Sequence, residues 1–171
     1  MVTNAMLVKI TRHVSLLGCG MLAGVAVTVL VLELALRGLN GQEYARVRQA
    51  EFAVFAPFIG TILLPTLVAV AMLVIHARNT HNPMLRPAVI ALVLLLLALL
   101  VSLAVNGPIN VEQLSWNVQT PPVDWASVRD RWQIAHAVRT VAIVLAFGYI
   151  IAANLDRPVP SMPRCGENAD D

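Results

Sequence analysis

Charge is what this sequence has least of. Asp, Glu, Lys and Arg make up 13% of its 171 residues, about half of the ~25% usual in soluble domains. Hydrophobic residues make up 58%, and the mean hydropathy is +0.73. Together these values predict a membrane protein rather than a water-soluble one. The net charge of +2 contains no basic run, which excludes nucleic acid as a partner. Cysteine is almost missing: Cys19 lies in an apolar segment and Cys165 in a polar one, so neither a disulfide nor a thiolate metal site is expected. No His-x-x-x-His or Glu-x-x-His occurs, and His13, His76 and His81 fall on the side of the membrane opposite His136. That pattern predicts no bound metal and leaves haem without a second axial histidine at the same depth. Walker and Gly-x-Gly-x-x-Gly signatures are absent too, so no cofactor is expected.

What the chain does have is apolar length. Residues 14–36 form a first helix long enough for a hydrocarbon core of about 30 Å. Leu16-Leu17-Gly18-Cys19 looks like a lipoprotein cleavage box, but only residues 14–17 separate it from the basic segment, too short for an h-region of about 7–15 residues. A retained helix is therefore expected, after an N-terminal segment over 1–13. Gly20 and Gly24, with Thr28 on the same face, could admit a neighbouring backbone. Asn40 and Glu43 have capping-box spacing and predict a second helix over 41–77, kinked at Pro57 and Pro65. Pro87 opens a third, over 87–105, and Asp124 caps a fourth, over 125–153. The expected fold is all-α: an integral membrane four-helix up-down bundle over 14–153, with the second and fourth helices extended on the outer side. Residues 154–171 read as a disordered polar tail.

The basic residues do not settle orientation, because six fall on each side of the expected spans. The compact basic N-terminus before the first helix places both termini in the cytoplasm of a bacterial inner membrane. The loop over 106–124 then faces out.

Chemistry concentrates between Asn106 and Arg139, which contains all three tryptophans, Trp116, Trp125 and Trp132. Arg129, Trp132, His136 and Arg139 are spaced by three, four and three, which aligns them on one helix face. Beside lipid His136 and Arg139 would be costly, so this face should point into the bundle. Histidine can move a proton, arginine can hold an oxyanion and tryptophan offers a flat apolar wall. Each also has an ordinary structural role: tryptophans and arginines anchor at interfaces, and Asn106 and Asn110 can cap a helix end around Pro108. Glu33, one turn from the end of the first helix, is expected to pair with Arg139 or His136 and to orient the histidine.

Asn106-x-Pro108-Ile109-Asn110, Trp116, Asp124-Trp125 and Arg129-x-x-Trp132-x-x-x-His136-x-x-Arg139-Thr140 together resemble the anthrone oxygenase-like family of small four-helix membrane proteins. The loop from Leu39 to Gln49, with Tyr44, and Pro57 beyond it, is a weaker match. The resemblance covers about residues 14–155. It implies four membrane helices and, from the characterised fungal members, oxidation of an anthrone to an anthraquinone with O₂. Most bacterial members have no known activity.

Two functions follow. One is a metal-free, O₂-dependent oxygenase of phenolic fused-ring substrates, with His136, Arg139 and Glu33 catalytic and Asn106, Asn110, Trp116, Trp125, Arg129 and Trp132 binding a small aromatic substrate. The other is a non-catalytic membrane protein that binds a lipid-like or aromatic molecule, or a partner protein, within the bilayer. A transporter is disfavoured, since neither inverted repeats nor a polar midplane is evident.

Overall fold

A computed structural model describes residues 2–155 of the chain. Every regular element in that range is helical. Helix α1 spans Val2–Ala35 and a 3₁₀ turn follows at Leu36–Gly38. The first helix, expected over 14–36, thus starts earlier and takes in residues 2–13 of the N-terminal segment. That segment carries no Gly or Pro to stop a helix, and the Thr11 and Ser15 hydroxyls bond back to the Leu7 and Arg12 carbonyls. Helix α2 spans Gly41–Asn79 and opens on the expected capping box. Asn40 Oδ1 accepts from the Glu43 amide at 3.0 Å, and the Asn40 amide donates to Glu43 Oε2 at 3.2 Å. Pro57 and Pro65 both lie inside this continuous helix. The tail expected over 154–171 lies, from residue 156 onward, outside the described residues.

The third span departs most from expectation. Helix α3 covers Leu85–Val101, but the chain does not become a loop at Asn106. It passes through a π-helical turn at Ser102–Asn106 into helix α4, Gly107–Leu114. Pro108 is the physical reason. In regular α geometry its ring would press on the carbonyl four residues back, at Ala104. The wider turn, closed by the Gly107 amide on the Ser102 carbonyl, takes up one extra residue and lets helix resume. Helix α5 then covers Trp125–Leu155, close to the expected 125–153.

The helices form a square. α1 packs on α2 and α5, and α3 packs on the same two. Four stretches are long and apolar enough to cross a membrane: Ala5–Gly38, Pro57–Asn79, Leu85–Leu114 and Trp125–Leu155. This is an integral membrane bundle of four spanning helices. Small residues such as Ala91 and Ala146 line its mid-depth core beside Cys19, Val70, Leu95 and Ile150, which lets the backbones approach closely. Large aliphatics such as Leu64, Val93, Leu100 and Val141 point outward, as lipid-facing positions should.

The close α1 contact is not the expected Gly20/Gly24 pair. A Cβ on Gly24 would meet nothing, Thr28 is exposed, and Gly20 faces only the Phe147 ring. The intimate contact is at Gly18, where a Cβ would overlap the buried Thr66 hydroxyl of α2. Gly18→Val should therefore destabilise the bundle by about 1–3 kcal/mol through overpacking, while Gly24→Val should change little. Thermal unfolding of the two variants in detergent checks the order, and equal melting temperatures would show that α1 and α2 do not meet at Gly18.

Candidate functional site

A cavity of about 200 Å³ opens between the four spans, toward the end where α1 finishes and α2 and α5 begin. An apolar cavity of roughly 150 Å³ accommodates benzene, so this one has room for a compact molecule larger than a single ring. Leu22, Val25, Phe55, Ile59, Leu95 and Ile143 are among its apolar lining. Its polar wall consists of Arg48 and Glu51 from α2, Ser102 and Asn110 from the third span, and Trp132, His136 and Arg139 from α5.

Arg48 is the centre of that wall. One nitrogen, Nη1, donates to Glu33 Oε1 at 2.8 Å and to Glu51 Oε2 at 2.9 Å. Nε donates to Gln113 Oε1 at 3.2 Å and Nη2 to Asn110 Oδ1 at 3.1 Å. The guanidinium carbon lies 4.1 Å from the centre of the Trp132 ring, a cation–π distance. All four spans thus meet at one side chain. Tyr44, Arg48 and Glu51 are spaced by four and three, so α2 presents them on one face. Burial raises the Glu51 carboxyl above its ordinary value, with Arg48 opposing and Glu33 adding to the rise.

The second group is built on α5. Trp132 and His136 stack at 4.9 Å with 16° between the rings. Trp132 Nε1 donates to Asn110 Oδ1 at 2.7 Å, and Asn106 Nδ2 donates to the Trp132 carbonyl at 3.1 Å. The π-helical turn sets this arrangement, since Ser102 and Asn106 belong to it and Asn110 follows one turn later. His136 Nε2 lies 3.0 Å from the Ala26 carbonyl, which can only accept, so Nε2 carries the hydrogen. Arg139 Nε, which can only donate, lies 2.9 Å from Nδ1. Both ring nitrogens are therefore engaged. Arg139 Nη1 donates to Ser102 Oγ at 3.1 Å. Among the described residues no carboxylate forms an ion pair with Arg139, and no hydrogen bond is made by its Nη2.

Of the residues expected to form a site, Asn110, Trp132, His136 and Arg139 share the cavity wall. Asn106 sits behind it, bonded to backbone. Trp116 and Trp125 belong instead to a core at the end of the bundle where α2 and α5 begin, with Tyr44 and Val128. Arg129 lies over the Trp125 ring at 5.0 Å and pairs with Asp130 at 3.0 Å. Glu33 does not pair with Arg139 or His136. Its carboxylate takes Arg48 and, at 3.1 Å, Gln133 Nε2. The reason is register: Glu33 of α1 lies beside Gln133 of α5, and His136 meets α1 at Ala26. Arg48, Glu51, Ser102, Gln113 and Gln133 were not singled out from sequence. The only signal for Arg48 and Glu51 was their shared face with Tyr44.

Arg48→Met should destabilise the protein by about 3–5 kcal/mol, because it leaves Glu33 buried without its cation. Glu33→Gln in the same background should restore part of that loss. Unfolding of the single and double variants in detergent measures it; a double variant no more stable than Arg48→Met would mean that the pair does not carry this stability.

Among the described residues no three His, Cys, Asp or Glu side chains are grouped as a metal site. No curated protein and no solved structure matches the chain. A family model described as anthrone oxygenase matches residues 52–149, more than half of the chain. The match begins one residue after Glu51 and takes in Ser102, Asn110, Trp132, His136 and Arg139. By this match, in agreement with the four spanning helices, the chain belongs to the anthrone oxygenase family.

Proposed function

We propose that this protein is an O₂-dependent oxygenase of phenolic fused-ring, anthrone-type substrates, acting in the cavity between its four spans. The observation that carries the reading is Arg139: a cation on the cavity wall, held by His136 and Ser102, with no carboxylate paired to it among the described residues. Such a group suits an oxygen that becomes an anion during reaction. Trp132, whose ring also carries Arg48 and stacks on His136, lines the cavity beside it.

The reaction balances without an external reductant. Loss of a proton from the ring methylene of an anthrone gives an enolate, its negative charge on the oxygen that Arg139 would hold. The enolate carbon adds O₂, and the O–O bond then breaks. One oxygen atom stays as the new carbonyl, and the other leaves as water with the two methylene hydrogens. The four electrons that O₂ accepts all come from that carbon.

The many aliphatic and phenylalanine side chains around the cavity favour a second reading, storage or binding of a lipid-like or aromatic molecule without turnover. Oxygen uptake separates the two. Purified protein in liposomes should consume one O₂ per anthrone and form anthraquinone, and Arg139→Gln should lower the rate by about 100-fold, as loss of an oxyanion donor does. Saturable anthrone binding with no oxygen uptake above protein-free liposomes would favour the binding reading.

We place the protein in a bacterial cytoplasmic membrane with both termini inside, following the basic N-terminus. A cysteine at exposed Ser115 should then label with an impermeant reagent in intact cells, while native Cys165 stays protected. The opposite pattern reverses the orientation.

A further inference from the structure

The face shared by His136 and Arg139 suggests the histidine as the proton acceptor, but its surroundings leave it no lone pair to use. Nε2 gives its hydrogen to the Ala26 carbonyl, and Nδ1 is taken by Arg139 Nε at 2.9 Å. Protonating Nδ1 would expel that N–H and set two cations against each other in a dry site, where such an arrangement is costly. His136 is better suited to aiming Arg139.

Four titratable side chains line the cavity: Arg48, Glu51, His136 and Arg139. With the histidine occupied and guanidinium groups acting only as donors, one acceptor remains. Glu51 uses Oε2 for Arg48 at 2.9 Å, and among the described residues no hydrogen bond is made to its Oε1. On the oxygenase reading, we infer that Glu51 is the catalytic base that takes the ring-methylene proton, and that His136 is a positioning residue for Arg139.

Charge bookkeeping favours the same assignment. The cluster holds two carboxylates, Glu33 and Glu51, and two guanidinium groups, Arg48 and Arg139. When a neutral substrate gives its proton to Glu51, the carboxylate becomes neutral and the substrate oxygen becomes the anion, facing Arg139. Negative charge moves across the cavity and none is created, which matters where an unpaired charge is so costly. Arg48 keeps Glu33 as its counter-ion throughout.

Proton abstraction can be observed without oxygen. Anthrone in D₂O, under argon, should exchange its methylene hydrogens for deuterium faster in liposomes carrying the protein than in empty ones. Glu51→Gln should lower the protein-dependent exchange by at least about 100-fold, with anthrone binding, read by tryptophan quenching, retained. Glu51→Asp should keep a measurable part of it. His136→Asn, which offers an acceptor near the Nδ1 position and no base, should slow exchange through the loosened Arg139 while leaving the pH dependence of the remaining exchange in place. The exchange rate should fall as pH drops through a value above the ordinary carboxylate range. That limb reflects Glu51 facing Arg48 on its own helix, Glu33 from α1, and His136 and Arg139 across the cavity; the third span offers only uncharged Ser102 and Asn110.

Undiminished exchange in Glu51→Gln, or disappearance of the pH limb in His136→Asn, would overturn the assignment. Should Glu51→Gln fail to fold, Glu51→Asp and the pH limb decide: exchange that is independent of pH down to the ordinary carboxylate range removes Glu51. Exchange by the wild type with no oxygen uptake in air would uphold Glu51 and sink the oxygenase reading. No binding and no exchange by the wild type would end both.

Discussion

A guanidinium buried in a helical bundle must find partners or it costs more than the bundle can supply. Arg48 finds them on every span: Glu33 from α1, Glu51 on its own helix, Asn110 and Gln113 from α4, and the Trp132 face from α5. This one side chain fixes how the four helices sit at the end where α2 and α5 begin, much as a polar residue fixes register in a coiled coil. Deeper in the bundle the helices meet through alanine, leucine and valine, which fill space without demanding a single arrangement. Specificity of assembly is therefore concentrated where the cavity is, and the same contacts that align the helices also shape its polar wall.

That economy explains which parts of the site were legible in the sequence. Trp132, His136 and Arg139 lie on one helix, where spacing alone predicts a shared face, and they do share it. The four spans were legible for a similar reason, since length and apolar composition are local properties. Contacts between helices depend on axial register, which no local pattern reports. Glu33 was expected at the depth of His136 and lies beside Gln133 instead, one turn nearer the end of the bundle. Arg48 read as one more basic residue in the polar first turns of the second helix, because its importance comes only from what the other three spans bring to it. The end of the third span was hidden differently. Proline after a helical run normally signals a stop, and here a π-helical turn absorbs it.

The π-helical turn also joins the fold to the site. An α-helix through residues 102–106 would rotate everything after it by a different amount, so Asn110 and Gln113 would not face Arg48. With the wider turn, Ser102 reaches Arg139, Asn106 reaches the Trp132 backbone, and Asn110 accepts from both Trp132 and Arg48. Pro108 is thus more than a tolerated defect. It enforces the geometry that lets one span contribute to both halves of the polar wall.

The outer tryptophans complete this arrangement without touching the cavity. Trp116 and Trp125 pack with Tyr44 above it, and Gly41 opens α2 with no side chain where a Cβ would lie 2.8 Å from Trp125 Nε1. Gln49 donates to the Gln113 and Trp116 carbonyls, which ties the end of α4 and the loop beyond it to α2. This aromatic cap covers the polar cluster on the side facing the aqueous phase. Keeping water from that side preserves the strength of the Arg48 and Arg139 interactions, which a wet site would screen. An apolar ligand would then arrive from the lipid side, where Phe55 is 38% exposed at the cavity wall. On the proposed function, a hydrophobic fused-ring molecule already dissolved in the bilayer would need no aqueous route to reach Arg139, which would be a physical reason for such a site to be built inside a membrane bundle.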